Sequence, residues 1–524
     1  MRGHGVKRRR LPRPVVRGLR FAAMRRALSF VLLLAACDEG TATPADATLE
    51  AAVDAARADV PAVDAPATVD APAVDAPALV DAPAACVVPA PLVAGTSATD
   101  ALADAPARCG AASYRWLRDP SLGTITRTAS GITFTRATLR ALAAGANLPA
   151  ALVLRSDVRA EVVGYTTQDR GRLLEATALV AWPTNLDAPT RVPTLLYLHG
   201  TAGFTDACAP SSGSDTRLLA AALASTGYVV VAPDYIGMRN GGAPTGFLHP
   251  YLVGEATAIA SLDGVRAAAR HVAAQGSNTC PDGRFASLGA SQGGHAVLWV
   301  DRLQPYYARE WTHVGAVATV PPADFVGEVL RALGTTVLAT ANTAAFYAAA
   351  APWYGLGARL GEVFLPPYVT SLPAVLATSC NPGDSFTSAT AETVFTASLR
   401  SSAATAAGFV GSGPWACMAA QNGLTTTDVP RIANTQPGYG ILYVTGGSDA
   451  LVHTPTERAA FTSLCTAQSM PLQYLECAGA SHTQTTGWAL PEIMTFLGDR
   501  FAGRALDAAR TCQLADASRC SATP

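Results

Sequence analysis

Lysine is nearly missing: the one lysine in 524 residues is Lys7. Beyond it no amine side chain is available for a Schiff base, a phosphate-gripping lysine or a serine–lysine dyad. Charge of either sign is sparse, at 15% of the chain, and the basic share is concentrated at one end. Residues 1–36 hold nine Arg, Lys7 and no Asp or Glu. With those ten set aside from the 38 basic residues, 28 face 39 acidic ones from residue 37 onward, a balance of -11 that argues against nucleic acid as a partner. No cysteines have Cys-x-x-Cys spacing and no His sits at finger spacing beside one, which disfavours a zinc site. Uninterrupted apolar runs are also lacking. Two uncharged 27-residue stretches, 332–358 and 401–427, are broken by Gly334, Asn342, Pro352 and Gly355 in the first and by Gly408, Pro414, Gln421 and Asn422 in the second. Such interruptions disfavour a membrane span.

The N-terminus reads as an export leader. After the basic residues, a short apolar run at 27–36 ends directly before Cys37, too short to span a bilayer. The segment 1–36 is therefore expected to be a signal peptide, with Met24 an alternative start that would give a more ordinary leader. Leu34-Ala-Ala-Cys37 resembles the bacterial lipobox, which implies lipid attachment at Cys37 and a membrane partner through that anchor. The expected location is the bacterial cell envelope, either periplasmic or surface-facing, with release outside the cell as a variant. The competing reading is a soluble exported chain with Cys37 unmodified. Residues 37–85 follow as an Ala/Asp/Pro/Val tether with Val-Asp-Ala-Pro at 63–66, 69–72, 74–77 and 80–83. Recurrent proline favours extended polyproline II, so ~48 residues at ~3.1 Å each reach on the order of 150 Å.

Eleven cysteines occur, and removing Cys37 leaves ten: Cys86, Cys109, Cys208, Cys280, Cys380, Cys417, Cys465, Cys477, Cys512 and Cys520. An exported chain meets an oxidising compartment, so disulfides are expected. Neighbour pairing (86/109, 208/280, 380/417, 465/477, 512/520) is favoured, although spacing alone does not determine connectivity.

From Val158 to Cys477, short runs rich in Val, Leu and Tyr alternate with Ala-rich helical stretches, the rhythm of an α/β sheet protein. Eight strands are expected, at 158–165, 173–182, 194–199, 228–232, 285–289, 314–319, 441–445 and 473–477, with helices at 255–274 and 292–303. The strand rhythm stops between Pro321 and Pro430, which reads as an inserted helical cap. Its aromatic residues Phe346, Tyr347, Trp353, Tyr354 and Trp415 are expected to line an acyl pocket. The α/β core is then split into 86–320 and 431–524, with the cap at 321–430.

Gly289-Ala-Ser291-Gln-Gly293 is a Gly-x-Ser-x-Gly sequence between an expected strand and an expected helix, the context of a nucleophile elbow. Ser291 is the expected nucleophile. In this fold an acid and then a base should follow it in the chain. Asp449, in the loop after the penultimate strand, and His482, after the last strand, fill those places. The competing histidines are His453, four residues past Asp449, His295 one helical turn past Ser291, and His313 at a strand start. Oxyanion donors are expected from the amides of Gln292 and Thr201, the latter following the strand Leu195-Leu-Tyr-Leu-His199-Gly200.

Taken together, Leu198-His-Gly-Thr-Ala-Gly203, Val231-Ala-Pro-Asp-Tyr-Ile-Gly237, His249-Pro-Tyr-Leu-Val-Gly-Glu255 and Gly289-Ala-Ser-Gln-Gly-Gly-His295 resemble the secretory lipase family of α/β-hydrolases over roughly residues 95–505. The resemblance implies an α/β-hydrolase fold, with a mostly parallel eight-stranded sheet and a helical cap. It further implies serine carboxylester hydrolysis of acylglycerols or similar lipid esters without metal or organic cofactor, with Ser291, Asp449 and His482 as the triad. A short-chain or polymer esterase and a serine peptidase on the same scaffold are the close alternatives. A non-catalytic surface lipoprotein is the alternative from another class.

Overall fold

The computed structural model describes residues 80–81, 86–92, 104–105, 108–145, 152–381, 383, 389–410 and 413–524. The leader, Cys37 and all of the tether except Val80–Asp81 lie outside the described residues.

Among the described residues thirteen strands run in chain order: β1 (Val80–Asp81), β2 (Asp104–Ala105), β3 (Tyr114–Arg115), β4 (Ile125–Thr128), β5 (Ile132–Phe134), β6 (Val158–Asp169), β7 (Arg172–Pro183), β8 (Thr190–Leu198), β9 (Val229–Pro233), β10 (Thr279–Ala290), β11 (Thr312–Thr319), β12 (Ile441–Gly446) and β13 (Leu472–Cys477). All but β2 and β3 join one 11-stranded sheet, ordered β13-β12-β11-β10-β8-β9-β7-β6-β4, with β1 on β8 and β5 on β6. The six strands from β13 to β9 are parallel, and β7, β6, β5 and β4 close one flank antiparallel. All eight expected strands are present. The other three in the sheet have two to four residues each, too short to show an alternating pattern.

Both faces of the sheet are covered, and the side-chain alternation of β8 shows how. Leu196 and Leu198 belong to one core with the helices Gly254–Ala274 and Gln292–Tyr307, while Leu195 and Tyr197 belong to the opposite core with Ser214–Ser225 and Leu490–Phe501. A strand buried on both faces needs apolar residues at every position, and a continuous Val/Leu run supplies them. On the first face the two helices touch closely: a Cβ on Gly254 would fall 2.3 Å from the Trp299 ring.

Between β11 and β12 the described residues form helices, among them Phe325–Gly334, Ala339–Ala350, Tyr368–Leu376 and Pro414–Asn422, with one isolated bridge, Phe364 to Phe395. Among the described residues no helix is long and apolar enough to cross a membrane.

The disulfides overturn neighbour pairing entirely. The bonds are Cys86–Cys280, Cys109–Cys417, Cys208–Cys380, Cys465–Cys512 and Cys477–Cys520. The physical reason is clearest at the C-terminus. Leu472–Cys477 is an extended strand, which separates its two ends by roughly 17 Å at ~3.3 Å per residue. The tail later passes beside it in the same overall direction, bridging Thr511 to Gln473 and Ser518 to Cys477. Cys512 therefore meets Cys465 near the strand's start, and Cys520 meets Cys477 at its end. Two further bonds, Cys208–Cys380 and Cys109–Cys417, fasten the helical segment between β11 and β12 to the rest of the chain over separations of 172 and 308 residues.

Candidate active site

β10 ends at Ala290 and a helix begins at Gln292, so Ser291 makes the whole turn. Its backbone sits at φ 57°, ψ -120°, a strained conformation for a residue with a side chain. The flanking glycines explain how the turn fits. A Cβ on Gly293 would stand 1.9 Å from the Leu198 carbonyl oxygen and 2.8 Å from that of His199, and one on Gly289 would stand 2.4 Å from the Gly293 oxygen. The Ser291 amide donates to the Thr319 carbonyl at 2.9 Å, which ties the turn to β11.

The loops after β12 and β13 are joined by their backbones. Gly447 N donates to Cys477 O and Ser448 N to Ala480 O, each at 2.9 Å. This brings Asp449 and His482 together: Nδ1 of His482 lies 2.7 Å from Oδ2 of Asp449, and both residues are buried. A carboxylate can only accept, so Nδ1 carries the proton and Nε2 presents a lone pair. Nε2 is buried and has no hydrogen-bond partner among the described residues. The other carboxylate oxygen, Oδ1, accepts from the amides of Leu451 at 2.9 Å and Val452 at 3.0 Å, which locks the orientation of Asp449. The His482 loop is linked to the elbow as well: Thr486 shares a 2.7 Å hydroxyl contact with Thr319, whose carbonyl holds Ser291.

The competing histidines are engaged elsewhere. His453 Nδ1 contacts the Thr456 hydroxyl at the start of a helix. His295 Nε2 bonds the Asn422 carbonyl at 2.7 Å, and His313 stacks on Phe285 and contacts the Ser287 hydroxyl. Burial pushes both His295 and His313 down to about 4, so neither ring takes up a proton readily.

Gln292 opens the helix, so its amide is among the first N–H groups that have no intrahelical acceptor and lie at the positive end of the macrodipole. Its side chain is held by His249, whose Nδ1 donates to the Ile236 carbonyl at 2.9 Å and whose Nε2 therefore accepts from Gln292 Nε2 at 2.7 Å. Thr201 is buried, with Oγ1 2.7 Å from the Tyr251 hydroxyl. The segment leading to it is fixed from below, where His199 stacks on Tyr235 and its carbonyl accepts from the Tyr235 hydroxyl at 3.0 Å. Asp234, beside that tyrosine, is buried and takes hydrogen bonds from Ser211 and Thr177.

A small pocket with a cavity volume of about 40 Å³, open in part to solvent, is walled by Ser291 and Gln292, by Tyr251 and Asn342, and by apolar groups including Phe325 and Val452. Sequence reasoning had no signal for two of its supports. Glu328 accepts from the His453 amide at 2.8 Å and pairs with Arg331 at 2.7 Å, and Arg331 donates to the Leu451 carbonyl at 2.6 Å. Burial pushes the Glu328 carboxyl up and Arg331 draws it back down. This pair fastens the loop after Asp449 to the helix Phe325–Gly334. Of the cap aromatics expected at the pocket, none is in its wall; Phe346, Tyr347 and Trp415 are buried against one another and Phe325. Large rings bury much apolar area and gain from edge-to-face contact, which accounts for the packing of these three against one another, while Trp353 and Tyr354 line a separate pocket with Tyr114 and Glu255. Among the described residues no group of three or more His, Cys, Asp or Glu could hold a metal ion.

Comparison with known proteins places this geometry. The fold is similar to that of the rice cell wall degrading esterase LipA from Xanthomonas oryzae, at 18% identity, covering 72% of this chain and 98% of that one with a TM-score of 0.59. It is also similar to a putative hydrolase from Legionella pneumophila, at 19% identity over 71% of this chain and 97% of that one, TM-score 0.57. Candida antarctica lipase A in its closed state matches at 16% identity over 78% and 89%, TM-score 0.53. No curated protein matches the sequence. The secretory lipase family matches residues 209–508, and that family together with five disulfides marks an exported protein. The chain belongs to the secretory lipase family of α/β-hydrolases and is a carboxylester hydrolase.

Proposed function

We propose that the chain hydrolyses lipid esters, acylglycerols or close relatives, through an acyl-enzyme on Ser291. Ser291 Oγ attacks the ester carbonyl while His482 Nε2 takes its proton. Asp449 holds the imidazole and stabilises it once charged. The amides of Thr201 and Gln292 receive the negative charge on the carbonyl oxygen. His482 then passes its proton to the departing alkoxide, and water, deprotonated by the same nitrogen, releases the fatty acid.

The observation that carries this reading is the buried 2.7 Å pair of His482 and Asp449 with Nε2 left unpartnered, joined through Thr486 and Thr319 to the turn that bears Ser291. A lipid substrate is supported by the apolar part of the pocket wall, Leu252, Phe325, Ala339, Leu451 and Val452. Attachment to a membrane through a lipid on Cys37 belongs to the same proposal, and the apolar run directly before Cys37 supports it.

The test is hydrolysis of p-nitrophenyl esters from butyrate to palmitate by the full chain and by Ser291→Ala. Turnover that rises with chain length and vanishes in the variant is expected. Turnover confined to butyrate makes it a short-chain esterase; activity surviving in Ser291→Ala removes the mechanism.

A further inference from the structure

We propose that the hydroxyl of Thr201 is a third donor to the oxyanion, oriented by Tyr251 and, through it, by Asn342. The inference rests on the reading of Ser291 as nucleophile.

Placement comes first. Leu198, the last residue of β8, pairs in register with Gly289, and the carbonyls of Leu198 and His199 press against Gly293. The chain that reaches Thr201 two residues later therefore runs along the first turn of the helix following Ser291. Tyr251, which bonds Thr201, and Asn342, which bonds Tyr251, wall the same pocket as Ser291 and Gln292.

Proton direction comes next. Asn342 Nδ2 has only protons to give, and it donates to the Tyr251 hydroxyl at 3.0 Å. Tyr251 and Thr201 then share one proton between oxygens 2.7 Å apart. A phenol, with an unperturbed pKa of about 10, is a far stronger donor and a weaker acceptor than an alkyl hydroxyl. The shared proton is thus supplied by Tyr251, Thr201 Oγ1 accepts it, and the proton of Thr201 itself is free to be given. Each bond in the series Asn342 to Tyr251 to Thr201 polarises the next, so the last hydroxyl is a better donor than an isolated one.

As the Ser291 Oγ–carbon bond forms, the carbonyl π pair moves onto oxygen, and the Thr201 hydroxyl meets that charge without transferring its proton. A preorganised donor in a buried site is worth roughly 10–1,000-fold in rate. Asn342 lies on the helix Ala339–Ala350, so two hydrogen bonds link the helical segment between β11 and β12 to Thr201, and the bond from Thr201 to the reacting oxygen is the third.

The experiment compares Thr201→Val, Thr201→Ser and Tyr251→Phe in the full chain, reading kcat and KM on p-nitrophenyl butyrate and inhibition by an alkyl trifluoromethyl ketone, whose hemiketal carries the same oxyanion. Thr201→Val is expected to lower kcat about 10–100-fold with KM within about threefold, and to weaken the ketone by the same factor. Thr201→Ser keeps the hydroxyl and should recover most of the loss. Tyr251→Phe should fall between, because the donor remains but loses its orientation. Labelling of Ser291 by a fluorophosphonate in every variant separates the two readings: if wild type is not labelled there, the nucleophile reading fails first. If it is labelled and Thr201→Val keeps kcat and ketone affinity, or Thr201→Ser loses as much as Thr201→Val, the hydroxyl has no such role.

Discussion

The substitution Asp449→Asn tests the triad more sharply than removing the side chain. The two carboxylate oxygens have separate duties: Oδ1 accepts from Leu451 N and Val452 N, and Oδ2 faces His482 Nδ1. An asparagine can keep its single oxygen in only one of those places. Facing the oxygen toward His482 would set the NH2 group against two backbone amides and forfeit two hydrogen bonds, at about 1–3 kcal/mol for each buried donor left unpaired. The amide therefore keeps its oxygen on the loop and presents NH2 to the imidazole. His482 must then accept at Nδ1 and carry its proton on Nε2, the nitrogen that has to receive the serine proton. With the base blocked by the wrong tautomer, kcat should fall about 10⁴-fold, or about 5.4 kcal/mol at 1.36 kcal/mol per decade. KM should stay near wild type, since nothing in the pocket wall changes. The assay is steady-state hydrolysis of p-nitrophenyl butyrate at pH 7–8, with urea unfolding to show that the substitution has not loosened the loop. Activity within tenfold of wild type in a stable variant would refute the assignment of Asp449, because no other carboxylate contacts His482 among the described residues.

Two further outcomes follow from local geometry. Gly293→Ala would force a Cβ to 1.9 Å from one backbone oxygen and 2.8 Å from another, neither at the end of a flexible side chain, so urea unfolding should show a loss of about 3 kcal/mol or more together with loss of esterase activity; a variant as stable and active as wild type would show that β8 and the elbow helix can separate freely. Burial holds His199, His295 and His313 down to about 4 and His249 to about 3. Their folded values lie below the unfolded value of about 6.5, so their contribution to stability is intact above pH 6.5 and is lost as pH falls toward 4, while buried Asp234, pushed up to about 6, acts with the opposite sign. Imidazole nitrogen NMR at pH 5 should find all four rings neutral in the folded chain, and a charged ring at any of the four positions would contradict the burial argument.

The parts legible in the sequence are those written in local order. A Val/Leu run bounded by glycines marks a strand that is buried on both faces, and Gly289, Ser291 and Gly293 mark a turn whose requirements are all within five residues. The 2.7 Å pairing of Asp449 with His482 is anticipated because each falls in the loop after a strand already recognised, in the chain order that an acid and a base take in this fold. Connectivity across the sheet has no such local signature. Cys465 and Cys477 are twelve residues apart, yet an extended strand intervenes and the tail that supplies their true partners, Cys512 and Cys520, passes along it. Nothing in the spacing of cysteines encodes the path of that tail.

The same distinction separates the candidate site residues from the side chains that hold them. Tyr251 is in a segment that stood out by its resemblance to the secretory lipase family, but its hydroxyl acquires meaning only when Asn342, 91 residues later, donates to it and Thr201, 50 residues earlier, lies on its other side. Glu328 and Arg331 are an unexceptional pair on a helix until they grip both the amide of His453 and the carbonyl of Leu451. In each case a group from the segment between β11 and β12 supports a group outside it: Asn342 holds Tyr251, and Glu328 and Arg331 hold the loop after Asp449. Cys208–Cys380 and Cys109–Cys417 fasten that segment covalently as well, so in the proposed mechanism it is part of the framework that aims the donors. Displacing it would therefore disturb orientation at Thr201 and at Asp449 together, and a lesion in the segment should lower kcat before it alters substrate affinity.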